Sequence, residues 1–537
     1  MSDYWVKRAL ERMRRAELLA DNYEARIFRL YQEAFDELNG ELKTLFEYYA
    51  SQGGLTPIEA AQYLREPVTR AQADAILQKL SEVADPDVRR KLLAQANSAQ
   101  ISARMKRIQA MQDNIQAECA KIADKEIAIH QEAARKVGEE AYYRTVFDVQ
   151  QGVKAAVPFA QITIEQIDAV LSQKWAGANY SARVWQNAEL MAEKLGEIVR
   201  ANVATGRPWE RCVDEMQHYM VSPDQGGRYA ATRILRTETM HVYNEMSAEA
   251  SSALGAERYR YIAVLDLKTS ETCRLHDGLI DPATGKPYTY ADRKPGKNFP
   301  PLHPWCRSIE APYIDEATLE EMTRPAKDPV TGKIIEVPAT MTYQEWYKEY
   351  VEGNEQAKIN ERMTQNTAGD QVQLQRYREV LGKDAPKDLA AFQRMKYTDA
   401  VSFKELKWDY LFEKKHRAQD SSELLTNSNA ADGIGDKLKS YVLNTEHATG
   451  ANKAKVFKSA LGYDIDNADL LEQQIRSGIS QYKAVSLGDI GHGERYRVTM
   501  LVDGPKGKQP ISTGWIYDTG KEIPRMVTAY VDHDQRP

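Results

Sequence analysis

The feature that most limits how this chain can fold is a stripe of apolar residues, three and four positions apart, near its start. Ile27, Tyr31, Ala34, Leu38, Leu42, Phe46 and Tyr49 fall on one face of a helix, which predicts an amphipathic helix from Asp3 to about Ala50. The spacing returns through Ile101, Met105, Ile108, Ile115, Cys119, Ile122 and Ile129. It predicts a second long helix, with Cys119 a packed thiol. Between the two, Gln52-Gly53-Gly54 breaks the pattern, and Thr56-Pro57-Ile58-Glu59 restarts it with a hydroxyl cap, a proline and a reciprocal glutamate. Thr69-Arg70-Ala71-Gln72 and Asp85-Pro86 offer two further starts. Residues 1–150 therefore read as an extended helical arm of the kind that scaffolds or oligomerises. Lys7, Arg8, Arg12, Arg14 and Arg15 read as a solvated helix face rather than a nucleic-acid site.

A chain of 537 residues exceeds one hydrophobic core, so several domains are expected. No apolar run reaches the ~20 residues of a membrane span, so none is expected. The charged start, Met1 to Arg15, lacks a secretory pattern, and the product is expected in the cytosol where it is made. A net charge of −6 argues against wrapping DNA over a broad surface, so any contact with DNA is expected to be local. Four cysteines are too few for a disulfide framework and read as buried thiols or metal ligands.

Composition shifts at about residue 151. Residues 151–320 read as α+β, with helices at Ile164–Leu171, Ala182–Val203 and Ala230–Leu254, then a strand from Tyr259 to Leu267. On that strand Tyr261, Ala263 and Leu265 face one side, and Arg260, Ile262 and Val264 the other. The Pro-, Gly- and Asp-rich text from Asp281 to Cys306 reads as turns that need local ties. Residues 321–422 read as a helical connector with pieces at Tyr343–Gly353 and Val372–Gly382. Residues 423–537 read as a small α+β domain, with helices near Asn444 and at Asn467–Ser477 and an antiparallel meander of Tyr496–Val502, Ile511–Tyr517 and Arg525–Val531. The fold class is thus multidomain and mainly α.

The most specific text is Arg236-Thr237-Glu238, then Asp266, then Cys273-Arg274-Leu275-His276-Asp277-Gly278, and finally Pro300-Pro301-Leu302-His303-Pro304-Trp305-Cys306-Arg307. In this order the motifs resemble the Mu F-like minor head proteins of tailed bacteriophages. Their core runs from an Arg-Thr-Glu helix through a strand to a Cys-containing turn and a Pro-Pro-x-His-Pro-x-Cys-Arg loop. The resemblance covers roughly residues 150–320, and phrases such as Met341-Thr342-Tyr343 and Tyr377-Arg378-Glu379 extend it over much of the chain. It implies a minor capsid protein inside the head near the portal, acting in head assembly or DNA delivery. Its implied partners are the portal, the major capsid or scaffolding protein, and phage DNA. The implied location is the virion, with the host cytoplasm during assembly and after ejection. Arg236, Glu238, Asp266, Pro301 and Arg307 are the structural motif residues.

Cys273-x2-His276 and His303-x2-Cys306 have spacing that suits tetrahedral zinc, whose preferred ligands are thiolates and imidazoles. No cofactor is required, but a structural zinc would staple the loops; the competing reading is two buried thiols and a histidine bonded to backbone. Arg236 and Glu238 read as a buried pair setting the helix against the strand. The Arg-Thr-Glu stretch lacks the Glu-x-Glu signature of ADP-ribosyltransferases.

Near the C-terminus, His447-x2-Gly450-x2-Lys453-Ala454 ahead of a sheet carrying Trp515 and Arg525 to Tyr530 resembles toxin modules fused to phage proteins. Several of these are metal-independent ribonucleases of the barnase, EndoU and colicin type. Such chemistry needs an acid/base, a cation on the phosphate and a group to hold the nucleotide. His447, Lys453, Arg525, Thr528 and Tyr530 carry those roles if the module cleaves RNA. The alternative to a purely structural protein is therefore a phage-delivered effector.

Overall fold

The computed structural model describes residues 4–46, 57–97, 106–205, 207, 209–313, 323–489 and 491–532. The chain is mainly helical, with a central α+β region and a small antiparallel sheet near its end. It divides into two compact units, Met1–Thr364 and Gln365–Pro537. Among the described residues no helix is long and apolar enough to cross a membrane.

Unit 1 opens with α1 (Tyr4–Leu45), α2 (Pro57–Arg65), α3 (Arg70–Ser81), α4 (Pro86–Asn97) and α5 (Arg107–Val153). It continues with α6 (Ile164–Leu171), α7 (Tyr180–Ala204), α8 (Trp209–Val221) and α9 (Gly226–Ala253). The stripe of α1 is covered within the chain itself: Ile27, Leu38 and Leu42 share a core with Ile115 and Ile122 of α5, Leu195 of α7, Met216 of α8 and Leu235 of α9. Cys119 lies in that core, as expected. Thr69 caps α3 reciprocally with Gln72, and the Asp85 carboxylate accepts from Val88 N at the start of α4. Tyr49, Gln52 to Thr56, Ile101 and Met105 lie outside the described residues.

Two readings are corrected. Arg12 is not part of a solvated face: it is buried beside Met13 and bonds the Asp148 carboxylate of α5. Because α1 packs along α5, a cation on the inward side must carry its counter-charge with it. Arg236 and Glu238 do not pair with each other; successive helix positions point about 100° apart, and each finds a different partner.

The central β region is small. β1 (Arg258–Ile262) pairs antiparallel with β4 (Ile309–Tyr313), Arg258 opposite Tyr313 and Ile262 opposite Ile309. Between them lie α10 (Glu271–His276) and a minimal hairpin of β2 (Ile280–Asp281) and β3 (Lys286–Pro287). The strand is shorter than expected and its alternation holds only in part: Tyr259, Tyr261, Ala263 and Leu265 are buried and Arg260 and Val264 partly exposed, but Ile262, expected with the latter two, is buried as well. A hairpin of β5 (Thr323–Lys327) and β6 (Ile334–Pro338) flanks the turn that begins at Asp328. Unit 1 ends in α11 (Tyr343–Tyr347), a π turn at Lys348–Glu352 and α12 (Glu355–Gln365).

In unit 2, α13 (Thr367–Leu381), α14 (Leu389–Thr398) and α15 (Ala400–His416) pack around Leu374, Tyr377, Phe392 and Leu406. Next come α16 (Ile434–Lys437), α17 (Ala451–Ala460) and α18 (Ala468–Ile479). The sheet that follows has the order β10-β9-β8-β7, all neighbours antiparallel. Its strands are β7 (Ala484–Asp489), β8 (Gly493–Gly504), β9 (Gly507–Asp518) and β10 (Arg525–Val531). One face packs on the helices through Val498, Met500, Ile511, Trp515 and Met526 against Phe457, Leu471 and Ile475. The expected three-strand meander is present, and β7 adds a fourth strand.

Candidate functional site

Three of the four expected metal ligands converge. Ser270 caps α10 by accepting from Cys273 N, which sets the Cys273 side chain inward. The Pro-rich loop returns His303 and Cys306 to it: Cys273 Sγ lies 3.1 Å from His303 Nε2 and 3.5 Å from Cys306 Sγ. Both thiols are 2% exposed. The Tyr261 hydroxyl of β1 closes the inner side at 3.2 Å from Cys273 Sγ, and Ser270 Oγ sits 2.7 Å from His303 Nε2. His276 stands apart, its Nδ1 bonded to the Thr272 carbonyl one turn earlier on α10. The ends of the central stretch are thus pinned together, as the motif order requires.

The electrostatics follow from these contacts. Hydrogen bonds from Cys306 and then from His303 outweigh burial and hold the Cys273 thiol far below its ordinary range. Cys306, donating to that sulfur and buried, is pushed up. The hydrogen bond to Cys273 in turn raises His303 against the effect of burial. The His303 Nδ1–H donates to Pro304 O at 2.7 Å; such a backbone bond orients the ring and presents Nε2 to the sulfurs.

Around this cluster the motif residues act as ties. Arg307, next to Cys306, makes a two-pronged bond to Asp266 at 2.7 and 2.8 Å. Pro301 follows a cis peptide bond, and its carbonyl accepts from Gly296 N at 2.9 Å. Arg236 reaches Asp21 and Glu24 of α1, and Glu238 bonds Arg183 of α7 and, at 3.0 Å, the Trp175 indole. Between them Thr237 Oγ1 accepts from Trp305 N at 3.1 Å, tying α9 to the Cys/His loop.

Residues 193–310 match the family described as Phage Mu protein F like protein. The Mu F-like segment therefore runs from α7 through α9 and β1 to the Cys/His loop and into β4. Over this stretch the chain is similar to phage Mu F-like proteins. Residues 424–533 match a second family, described as a domain of unknown function (DUF6883). Neither a curated protein nor a solved structure matches the chain.

From sequence, Thr237 and Asp277 are motif members without a role, and Trp175, Arg183 and Arg324 are not singled out. Asp277 accepts from Ala263 N (2.7 Å), Tyr343 N (2.8 Å) and Arg324 Nη1 (3.0 Å), and Arg324 is 2% exposed. Thr237 is the middle residue of a motif that was read, whereas Trp175 and Arg183 adjoin none. Arg324 belongs to a strand that gave no alternation of apolar and polar residues.

In unit 2 the five expected residues separate into groups. Lys453 Nζ donates to Thr528 Oγ1 and lies 4.8 Å from the centre of the Tyr441 ring. The His447 ring stands edge-on to Tyr441 with ring centres 4.9 Å apart, and its Nδ1 accepts from Gly450 N at 3.1 Å. Arg525 instead makes a two-pronged bond to Asp518 at 3.0 and 2.9 Å. Tyr530 lies two positions beyond Thr528 on β10 and, like it, is half-buried. Trp515 is core.

Proposed function

We propose that this chain is a minor head protein of a tailed bacteriophage, carried inside the capsid near the portal and acting in head assembly or DNA delivery. The observation that carries the reading is that the residues matched by the Mu F family fold into one closed junction of α9, β1, β4 and the Cys/His loop. That junction is braced by ion pairs, which suits a scaffold part better than a turnover site. The test is mass spectrometry of purified particles made by the phage or prophage that encodes the chain. The protein is expected in the particle, and deletion of residues 1–150 is expected to prevent its incorporation. Particles without the intact chain, or normal incorporation of the deletion, overturn the reading.

Within that junction we infer a structural zinc held by Cys273, His303 and Cys306. Zn–S and Zn–N bonds of roughly 2.3 and 2.0 Å place tetrahedral ligands about 3.5–3.8 Å apart, close to the 3.5 and 3.1 Å seen here. His276 is left out because α10 turns its ring to backbone. Zinc would join two ends of a loop-rich stretch that has little apolar core of its own. About one zinc per purified full-length chain is expected, lost in Cys306→Ser; metal-free protein with an unchanged melting curve ends this inference.

A second reading concerns unit 2, favoured by Lys453, Thr528, Tyr441 and His447 forming one polar cluster. In it the C-terminal domain is an ejected cargo that cleaves RNA without metal, His447 exchanging the proton and Lys453 meeting the phosphate. Arg525 has no part in this version, because Asp518 holds it. Full-length protein incubated with transfer RNA and chelator is expected to cleave it, and His447→Ala to abolish cleavage. Intact RNA removes the reading.

A further inference from the structure

A cleft of about 970 Å³ opens beside β1, away from the Cys/His cluster. Its cations are Arg258, Arg260 and Lys286, and its one lining carboxylate is Glu257. Arg258 and Arg260 are alternate residues of β1 and so share the face opposite Tyr259 and Tyr261. Each guanidinium is anchored by a carbonyl and not by an acid: Arg258 Nη1 to Pro287 O at 2.5 Å, Arg260 Nη2 to Thr340 O at 3.1 Å. A guanidinium has five N–H donors, and among the described residues neither makes another side-chain hydrogen bond or an ion pair.

Two acids attract Arg260 without an ion pair, Asp277 and then Glu345, and the first is already committed. Asp277 pairs with Arg324 at 3.0 Å and also accepts two backbone N–H bonds, so two guanidiniums face one carboxylate. Burial, then the charge of Arg324, lowers Arg260 from its ordinary value. A half-buried cation without an ion-pair partner of its own is costly. The fold tolerates two of them, Arg258 and Arg260, beside the exposed Lys286 around one opening, with Gly278 and Gly285, both at positive φ, leaving the wall low. At Gly278 a Cβ would stand 3.8 Å from Arg260 Nη2.

We propose that this cleft binds a phosphate group borne by a ligand of nucleotide size. Two planar guanidiniums and an ammonium match the charge and the forked geometry of phosphate oxygens. The opening is far larger than a bare anion, and Leu254, Ile280, Pro287 and Pro312 give it an apolar wall for the rest of the ligand. The proposal does not rest on the head-protein reading.

The experiment is calorimetric titration of the full-length chain with adenosine monophosphate, inorganic phosphate and adenosine. The nucleotide is expected to bind, phosphate more weakly and adenosine not at all. Arg260→Gln is expected to weaken nucleotide binding about tenfold or more with an unchanged melting curve. Should that variant fail to fold, Arg258→Gln and Lys286→Gln, which lie nearer solvent, are read in its place. No binding of nucleotide or phosphate up to about 10 mM, or affinity untouched in all three variants, overturns the proposal. Phosphate binding as tightly as the nucleotide overturns its ligand size. Residues 314–320, Ile-Asp-Glu-Ala-Thr-Leu-Glu, lie outside the described residues. Binding that appears only when they are deleted assigns the cleft to the chain's own acids and overturns it as well.

Discussion

Replacing Arg307 by leucine tests whether the Cys/His loop is held by its flanking ion pair. Asp266 is 5% exposed and accepts four bonds: two from Arg307 at 2.7 and 2.8 Å, one from Lys268 N at 2.9 Å and one from Thr269 Oγ1 at 3.1 Å. Removing the guanidinium strands a buried carboxylate on two remaining donors. Breaking a fully buried pair costs about 3–5 kcal/mol. Arg307 is about a third exposed, so solvent screens part of that, and about 2–3 kcal/mol is expected. At roughly 2.1 cal/mol/K per residue over the 364 residues of unit 1, this lowers Tm by about 3–4 °C. Burial pushes the Asp266 carboxyl up, but Arg307 overrides it and holds it below its usual range. A depressed carboxyl contributes stability above its unfolded pKa of about 3.9 and loses it as pH falls through the folded value. The deficit of the variant is therefore full at pH 7 and shrinks below about pH 4. Differential scanning calorimetry at both pH values reads this, and adding Asp266→Leu to the variant should recover most of the loss. A single variant within about 1 °C of the parent at pH 7 refutes the reasoning.

Three further outcomes follow from burial. Asp113 is pushed up to about 6 by burial, so its contribution is present at low pH and lost as pH rises through 6. Asp113→Asn should then add about 1–2 kcal/mol at pH 8 and nothing at pH 4 in urea unfolding; no gain at pH 8 contradicts the burial argument. Trp515→Ala removes the largest core side chain of the sheet and should cost about 3–5 kcal/mol, read as lost amide protection in β8 and β9; protection retained there would show that the sheet does not depend on it. Gly504→Ala puts a Cβ 2.1 Å from the Leu461 carbonyl oxygen and should cost about 1–3 kcal/mol; a neutral result means the β8 turn yields.

How much was legible depended on periodicity. Helices α1, α5, α6 and α7 were readable because their apolar residues recur at helical spacing, and Thr69 marks a helix start chemically. α8 was missed although Trp209, Cys212, Met216 and Met220 are spaced helically and are all buried; four residues in thirteen are a thin signal. β7 is mostly exposed, and β5 and β6 are short with prolines, so alternation fails in all three. At the site, ligand spacing found Cys273, His303 and Cys306, because a two-residue gap constrains reach. It also nominated His276, since spacing does not say which way a helix turns a ring. Arg324 was invisible: its partner Asp277 lies 47 positions away.

The Arg-Thr-Glu motif is best understood from the position of its helix. From Thr237 to Ala248, α9 is buried at every residue, including Glu238, His241, Asn244 and Glu245. A helix enclosed on all sides has no solvent face for polar groups, so a charged or hydroxyl side chain there gains from a partner in whichever direction it points. Arg236 points to α1, Thr237 to the Cys/His loop and Glu238 to α7. Three adjacent polar residues thereby fix three neighbours around one axis. Glu238 is 1% exposed with both oxygens bonded. The motif therefore aligns elements, and its demand on sequence is geometric: losing any one residue frees one neighbour and leaves the other two in place.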